Sequence, residues 1–156
     1  MKSYIQAAAL GLALATATVT TALAAGVEIN ATTTGLALRG YDPVSYFQDE
    51  PKEGLVGIVA VHEDATYRFV SEANKKTFVA NPASYTPAYG GYCAYGASLG
   101  FKFDGDPKLW KIVDDKLYLN LSPHVADLWK KDISGNLEKS EAHWKTIKYV
   151  APSDLK

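Results

Sequence analysis

Two paired stretches limit this chain more than any other feature. VGIVAVH (Val56–His62) and TYRFV (Thr66–Val70) are β-branched or aromatic runs parted only by Glu63, Asp64 and Ala65. Farther on, LWKIV (Leu109–Val113) and KLYLNL (Lys116–Leu121) flank Asp114-Asp115. Alternating apolar residues suit a half-buried strand, because successive side chains point to opposite faces. With so few residues between the runs, only an antiparallel hairpin can join them. Each hairpin runs into a helix signal. Ser71 precedes EANKKTFVA and Ser122 precedes Pro123. A serine hydroxyl accepts from free N–H groups at a helix start, and proline is favoured in the first turn. Asn81-Pro82 stops the first helix, since proline disfavours helical backbone in the residue before it. A further helix is predicted from about Asn136 to Ile147, with Leu137, Ser140, Trp144 and Ile147 on its inner face. The expected fold class is α+β: a small antiparallel sheet of two hairpins with about three packed helices. No repeat, low-complexity block or interdomain linker is legible, so the 156 residues read as one domain.

The first residues read as a targeting segment. Lys2 is followed by an uncharged run to Ala25, with an apolar core from Ala7 to Ala15 and Ala22-Leu23-Ala24 near its end. This pattern predicts a signal peptide over residues 1–24, removed on export to the periplasm or medium. The apolar core is shorter than the ~20 residues of a membrane span, so no stable anchor is expected once the peptide is gone. Residues 25–38, rich in Ala and Thr, read as a flexible leader, 39–148 as the folded domain, and 149–156 as a tail. A formal net charge of −1 offers no field for nucleic acid or anionic lipid.

YTPAYGGYCAYG (Tyr85–Gly96) holds four tyrosines, three glycines and the only cysteine. Export permits disulfides, but Cys93 has no partner in its own chain. A thiolate needs a neighbouring cation, a helix N-terminus or a metal, and no Lys, Arg or His lies between Ser84 and Leu99. Three readings stand open for Cys93: a buried apolar thiol, a metal or redox thiol, and a nucleophile lacking an identifiable base. The tyrosines have helical spacing, yet the glycines argue for a hinged loop. That loop is either an aromatic corner or the wall of a small-ligand pocket lined by Tyr89, Tyr92 and Tyr95 with Cys93 at its base. His62, His124 and His143 form no helical metal pair. His62 is retained with Cys93 as a metal candidate, because the tip of the first hairpin could approach this loop. Tyr41 and Asp42 join the candidate ligand-binding set; Asp42 also suits a side-chain-capped turn before Pro43. Asp104-Gly105-Asp106 reads as a turn, lacking the remaining ligands of a calcium loop.

Three segments, YDPVSYF (Tyr41–Phe47), YRFVSEANKKTFVANPASY (Tyr67–Tyr85) and the stretch from YGGYCAYGASLG to FDGDPKLWKIVDDKLYLNL, together resemble the exported branch of the YHS-domain proteins. The resemblance runs from about Gly40 to Trp144. It implies a scaffold related to short cysteine-bearing modules that bind heavy metals. The cysteine positions of that pattern fall on Ser45, Val70 and Asn74, none of which offers a thiolate. Soft metals need sulfur, and zinc needs thiolate, imidazole or carboxylate. Copper or zinc would therefore have to be held by other groups, with Cys93 and His62 the candidates. The expected function is an exported, non-catalytic binding module for a metal ion or small molecule near Cys93. The alternatives are a protein-interaction domain of the cell envelope and a thiol-dependent enzyme.

Overall fold

The computed structural model describes residues 27 to 155. The signal peptide expected over residues 1–24 lies outside the described residues. The first hairpin pairs β1 (Leu55–His62) with β2 (Ala65–Phe69), and α1 (Glu72–Ala80) follows. A short helix α2 (Ala94–Ser98) precedes the second hairpin, β3 (Asp106–Val113) with β4 (Lys116–Asn120). Then come α3 (Pro123–Lys130) and α4 (Ile133–Ile147). The fold is the expected α+β type. The hairpins form two separate two-stranded sheets, and α2 adds a fourth helix within the tyrosine–glycine stretch. The serine caps form as read: Ser71 Oγ accepts from Asn74 N at 3.1 Å and Ser122 Oγ from Val125 N at 3.3 Å. α4 starts earlier than its apolar stripe suggests, because Asp132 Oδ1 caps it through Gly135 N at 2.9 Å. Among the described residues no helix is long and apolar enough to cross a membrane.

The structure contains a repeat that the sequence does not show. Residues 38–81 and 89–132 follow the same path at a constant separation of 51 residues, as from Asp42 to Cys93 and from Ser71 to Ser122. Leu55 pairs with Phe69 and Val59 with Arg68; Asp106 pairs with Asn120 and Trp110 with Leu119, so both hairpins carry the same irregularity. The left-handed residues correspond too: Leu38, Arg39, Gly40 and Asp49 match Tyr89, Gly90, Gly91 and Gly100. Glu63-Asp64 and Asp114-Asp115 make the same turn, with positive φ at both residues, as two-residue hairpin loops require. Asp42 N donates to Lys52 O and Cys93 N to Phe103 O, and Tyr41 bridges Glu53 as Tyr92 bridges Asp104. The reading of a chain without repeats is thereby corrected. The chain is two copies of one turn–hairpin–helix unit, followed by α4.

The second hairpin joins the units. Leu117 and Leu119 enter a core with Val44, Tyr46, Tyr67, Phe69 and Phe78 of the first unit. Tyr118, on the opposite face, packs with Trp129, Ala97 and residues of α4. Residues 25–38 were expected to be a flexible leader. The described part of that stretch is instead built in: Ile29, Ala37 and Leu38 are buried. Lys102 explains much of this. Its ammonium donates to the carbonyls of Val27, Lys148 and Val150 at 2.6, 2.6 and 2.9 Å, between the rings of Tyr92 and Trp144 at 5.2 and 5.1 Å. One cation thus ties both ends of the described chain to the tyrosine stretch. Burial lowers its pKa to about 8, against the pull of Glu28.

Burial pushes the phenols of Tyr46, Tyr67, Tyr89 and Tyr118 upward, and Tyr92 to about 12. An unfolded tyrosine loses its proton near about pH 10, so above that pH the folded chain binds more protons than the unfolded one. The stabilisation is complete below about pH 10 and is lost as pH climbs through the folded values. Urea midpoints should therefore fall steeply above about pH 10, and Tyr67→Phe should flatten that slope. Replacing Lys102 by Met leaves three carbonyls short of a donor and should cost about 2–4 kcal/mol in urea unfolding.

Candidate functional site

Asp42 is the centre of the first unit and is fully buried. Its Oδ1 accepts from Val44 N at 2.8 Å, the side-chain-capped turn expected before Pro43. Its Oδ2 accepts from Val70 N at 2.9 Å and from Asn74 Nδ2 at 2.7 Å. Ser45 Oγ donates to the Asp42 carbonyl at 2.6 Å and accepts from Lys52 N at 3.0 Å. Val70 N and the Asn74 amide therefore meet on the Asp42 carboxylate, and Ser45 holds the main-chain carbonyl of the same residue; these are the three positions onto which the YHS resemblance places cysteines. The residues present do not fit a soft metal. The donors around Asp42 are amide N–H groups, the carboxylate lone pairs face those donors, and no sulfur is present. Among the described residues no group of three or more His, Cys, Asp and Glu side chains is arranged to hold an ion.

Cys93 occupies the matching place in the second unit. It is buried and caps α2, with Sγ accepting from Gly96 N at 3.4 Å and donating to Asn120 Oδ1 at 3.6 Å. Burial raises the thiol's pKa, while the amides of Gly96, Leu121 and Tyr95 pull the other way. The amide donors of Tyr95 and Leu121 are the counterparts of Val44 and Val70 around Asp42. The same backbone nest thus holds a carboxylate in one unit and a thiol in the other. Nucleophilic use of the thiol would need a base, and its side-chain partner is the amide of Asn120. Gly96 is required here by space: a Cβ would lie 2.8 Å from the Phe103 ring.

The tyrosine stretch is a tight turn at Ala88–Gly91 leading into α2, where the sequence suggested a hinged loop. Tyr89 is buried, its hydroxyl donating to Glu141 Oε1 at 3.2 Å and its ring 5.6 Å from Trp144. Tyr89 and Trp144 wall an open cleft of about 260 Å³ with Lys116 and Glu141. Tyr92 is buried beneath Lys102, and Tyr95 is half-buried with its N–H on Asn120 Oδ1 at 3.3 Å. These rings therefore do not line one pocket around Cys93. Tyr41 lies in a separate cleft of about 270 Å³ with Arg39, Glu53 and Asp106. His62 belongs to the first hairpin, edge-on to Phe78 at 6.0 Å and 3.9 Å from Glu63, whereas the partners of Cys93 belong to the second unit.

Sequence reasoning missed Asn120. This residue is buried at the end of β4, where the first unit has Phe69. Its Oδ1 faces Cys93 and Tyr95, and it also lines a cleft of about 120 Å³ between β3 and α3. The signal was an asparagine inside a strand pattern, a residue depleted in strands.

Replacing Asp42 by Asn turns an amide donor toward donors and should destabilise the chain by about 2–4 kcal/mol, read by urea unfolding. Cys93 should be alkylated slowly when folded and at a normal rate in denaturant, with the folded rate rising only well above the ordinary thiol pKa of ~8.5. Compared with protein-family models, with characterised proteins and with solved structures, the chain shows no significant match.

Proposed function

We propose that this chain is an exported, non-catalytic binding module on a YHS-like scaffold, and that its second unit takes a small ligand in the cleft floored by Asn120. One observation carries the reading: Asn120 replaces the phenylalanine of the first unit and lines a cleft while holding Cys93 behind it. A buried amide at a core position is costly unless hydrogen-bonded, and ligand recognition accounts for keeping it there. Support for a non-catalytic role comes from the Cys93 thiol, raised by burial and without a basic partner. The hydrogen-bonded centre at Asp42 favours a small molecule over the metal that the family resemblance implies. Export rests on the leader sequence over residues 1–24.

A second reading, an interaction domain of the envelope, is favoured by β1. Its outer edge is unpaired, and Leu55, Val56 and Val61 are exposed along it. The two readings part in a single titration. Small-molecule mixtures added to isotope-labelled protein should move the Asn120 side-chain amide and the Trp129 indole resonances. Movement confined to β1 with an added envelope protein would favour the second reading. Stoichiometric Cu(I) or Zn(II) uptake that disappears in Cys93→Ala would overturn the first.

A further inference from the structure

Two copies of one unit allow an internal comparison. Where the backbones match, a change of side chain marks what one copy does and the other does not. The wall of the Asn120 cleft is made by Lys108, Trp110, Lys111, Trp129 and Lys130 with Asn120 as floor. At the same separation of 51 residues the first unit has Gly57, Val59, Ala60, Phe78, Val79 and Phe69. At Lys108, Lys111, Asn120, Trp129 and Lys130 the first unit is apolar or glycine where the second carries a cation or an N–H donor; Ala126, which also lines the cleft, runs the other way, with Lys75 in the first unit.

The lining of the cleft is rich in donor side chains. Trp129 is fully buried and its indole N–H has no hydrogen-bond partner. Such an orphaned donor is rare in native structures and calls for a cause. Asn120 is oriented by the Tyr95 N–H and the Cys93 thiol, both directed at Oδ1. Its Nδ2 is then the remaining donor, and no acceptor for it exists among the described residues. Lys108 and Lys111 have no carboxylate partner among the described residues. Lys130 meets Asp127 at 3.4 Å, an exposed pair, and Asp106 Oδ1 is occupied by the Lys108 N–H at 2.8 Å. Three lysines therefore line a hollow together with the Asn120 amide.

We propose that this cleft binds a small oxyanion, a phosphate or carboxylate group, with Asn120 Nδ2 as the neutral donor, Lys108, Lys111 and Lys130 as the charges and the buried Trp129 side chain as part of the wall. Charge-assisted hydrogen bonds to oxyanions are the stronger kind, and lysine serves as a mobile point charge. A volume of about 120 Å³ admits one such group and little more, so a larger ligand would enter by its anionic end. Cys93 acts behind the site as a positioning residue, fixing which way the Asn120 amide points. The inference rests on the reading of the second unit as a ligand-binding half and names the ligand's chemistry.

The full chain without its leader, labelled with nitrogen-15, tests it. Inorganic phosphate, sulfate and succinate are titrated separately at constant ionic strength, with choline and glycerol as cationic and neutral controls. Saturable shifts of the Trp129 indole and the Asn120 amide are expected with at least one anion, at a Kd on the order of 1 mM, and none with the controls. Lys111→Gln with Lys130→Gln, both at exposed positions, should weaken binding about tenfold and reduce its salt dependence. Asn120→Ala removes the neutral donor and should weaken binding with the fold retained by circular dichroism. If that variant fails to fold, the lysine pair carries the test alone. Anion shifts of equal affinity in the lysine double variant would overturn the proposal, as would no saturable shift with any anion. Should choline or glycerol fill the cleft and the anions not, the oxyanion assignment falls while the binding-module reading stands. Failure of every probe at Asn120 and Trp129 removes both.

Discussion

Strand β4 of the second hairpin is buried on both faces, and the fold depends on that. Leu117 and Leu119 point into the core of the first unit, and Tyr118 points the other way into the core shared with α3 and α4. Strand geometry makes this obligatory, because neighbours along a strand project to opposite sides. One short strand thereby joins the cores of the two repeats. A one-residue slip of β4 would exchange the two faces and disrupt both cores at once.

The two units share a backbone and differ in what they place at its centre. In the first, the nest of amide donors holds the Asp42 carboxylate, with Ser45, Val70 and Asn74 bonded to that residue. In the second, the nest holds a neutral thiol, and the polarity shifts outward to Asn120, Trp129 and three lysines. The first unit is consequently a structural anchor, apolar toward the second hairpin and saturated at its carboxylate. Each unit keeps one buried group without a hydrogen-bond partner, the Tyr67 hydroxyl in the first and the Trp129 indole N–H in the second, so the difference between the units lies in the lysines and Asn120.

The ends of the described chain are held by the same economy of parts. Lys102 gathers carbonyls from Val27, Lys148 and Val150 under two aromatic rings, and Glu28 pairs with Lys148 across the same seam. The stretch after the expected cleavage site is therefore structural, although its Ala and Thr content resembles a linker. Composition registered only weak local preference there. The deciding contacts come from residues more than 70 positions away, as in the bond between Lys102 and Val27.

Local chemistry was legible. The hairpins, the serine caps, the stop at Asn81-Pro82 and the turn at Asp42 each depend on neighbours within a few residues, so the sequence alone determined them and with them the α+β class. The repeat stayed hidden because the two units share only what a turn, cap or core demands, such as Gly40 and Gly91, Gly54 and Gly105, Tyr67 and Tyr118, Ser71 and Ser122. Tertiary structure alone decided that Ser45, Val70 and Asn74 meet on Asp42, that Cys93 takes the equivalent seat, and that His62 lies in the other unit. It alone brought Asn120 and Trp129 beside Lys108, Lys111 and Lys130. The physical reason is range: periodicity and capping are set along the chain, whereas a cleft is set by which faces pack together, and that depends on burial across the whole fold.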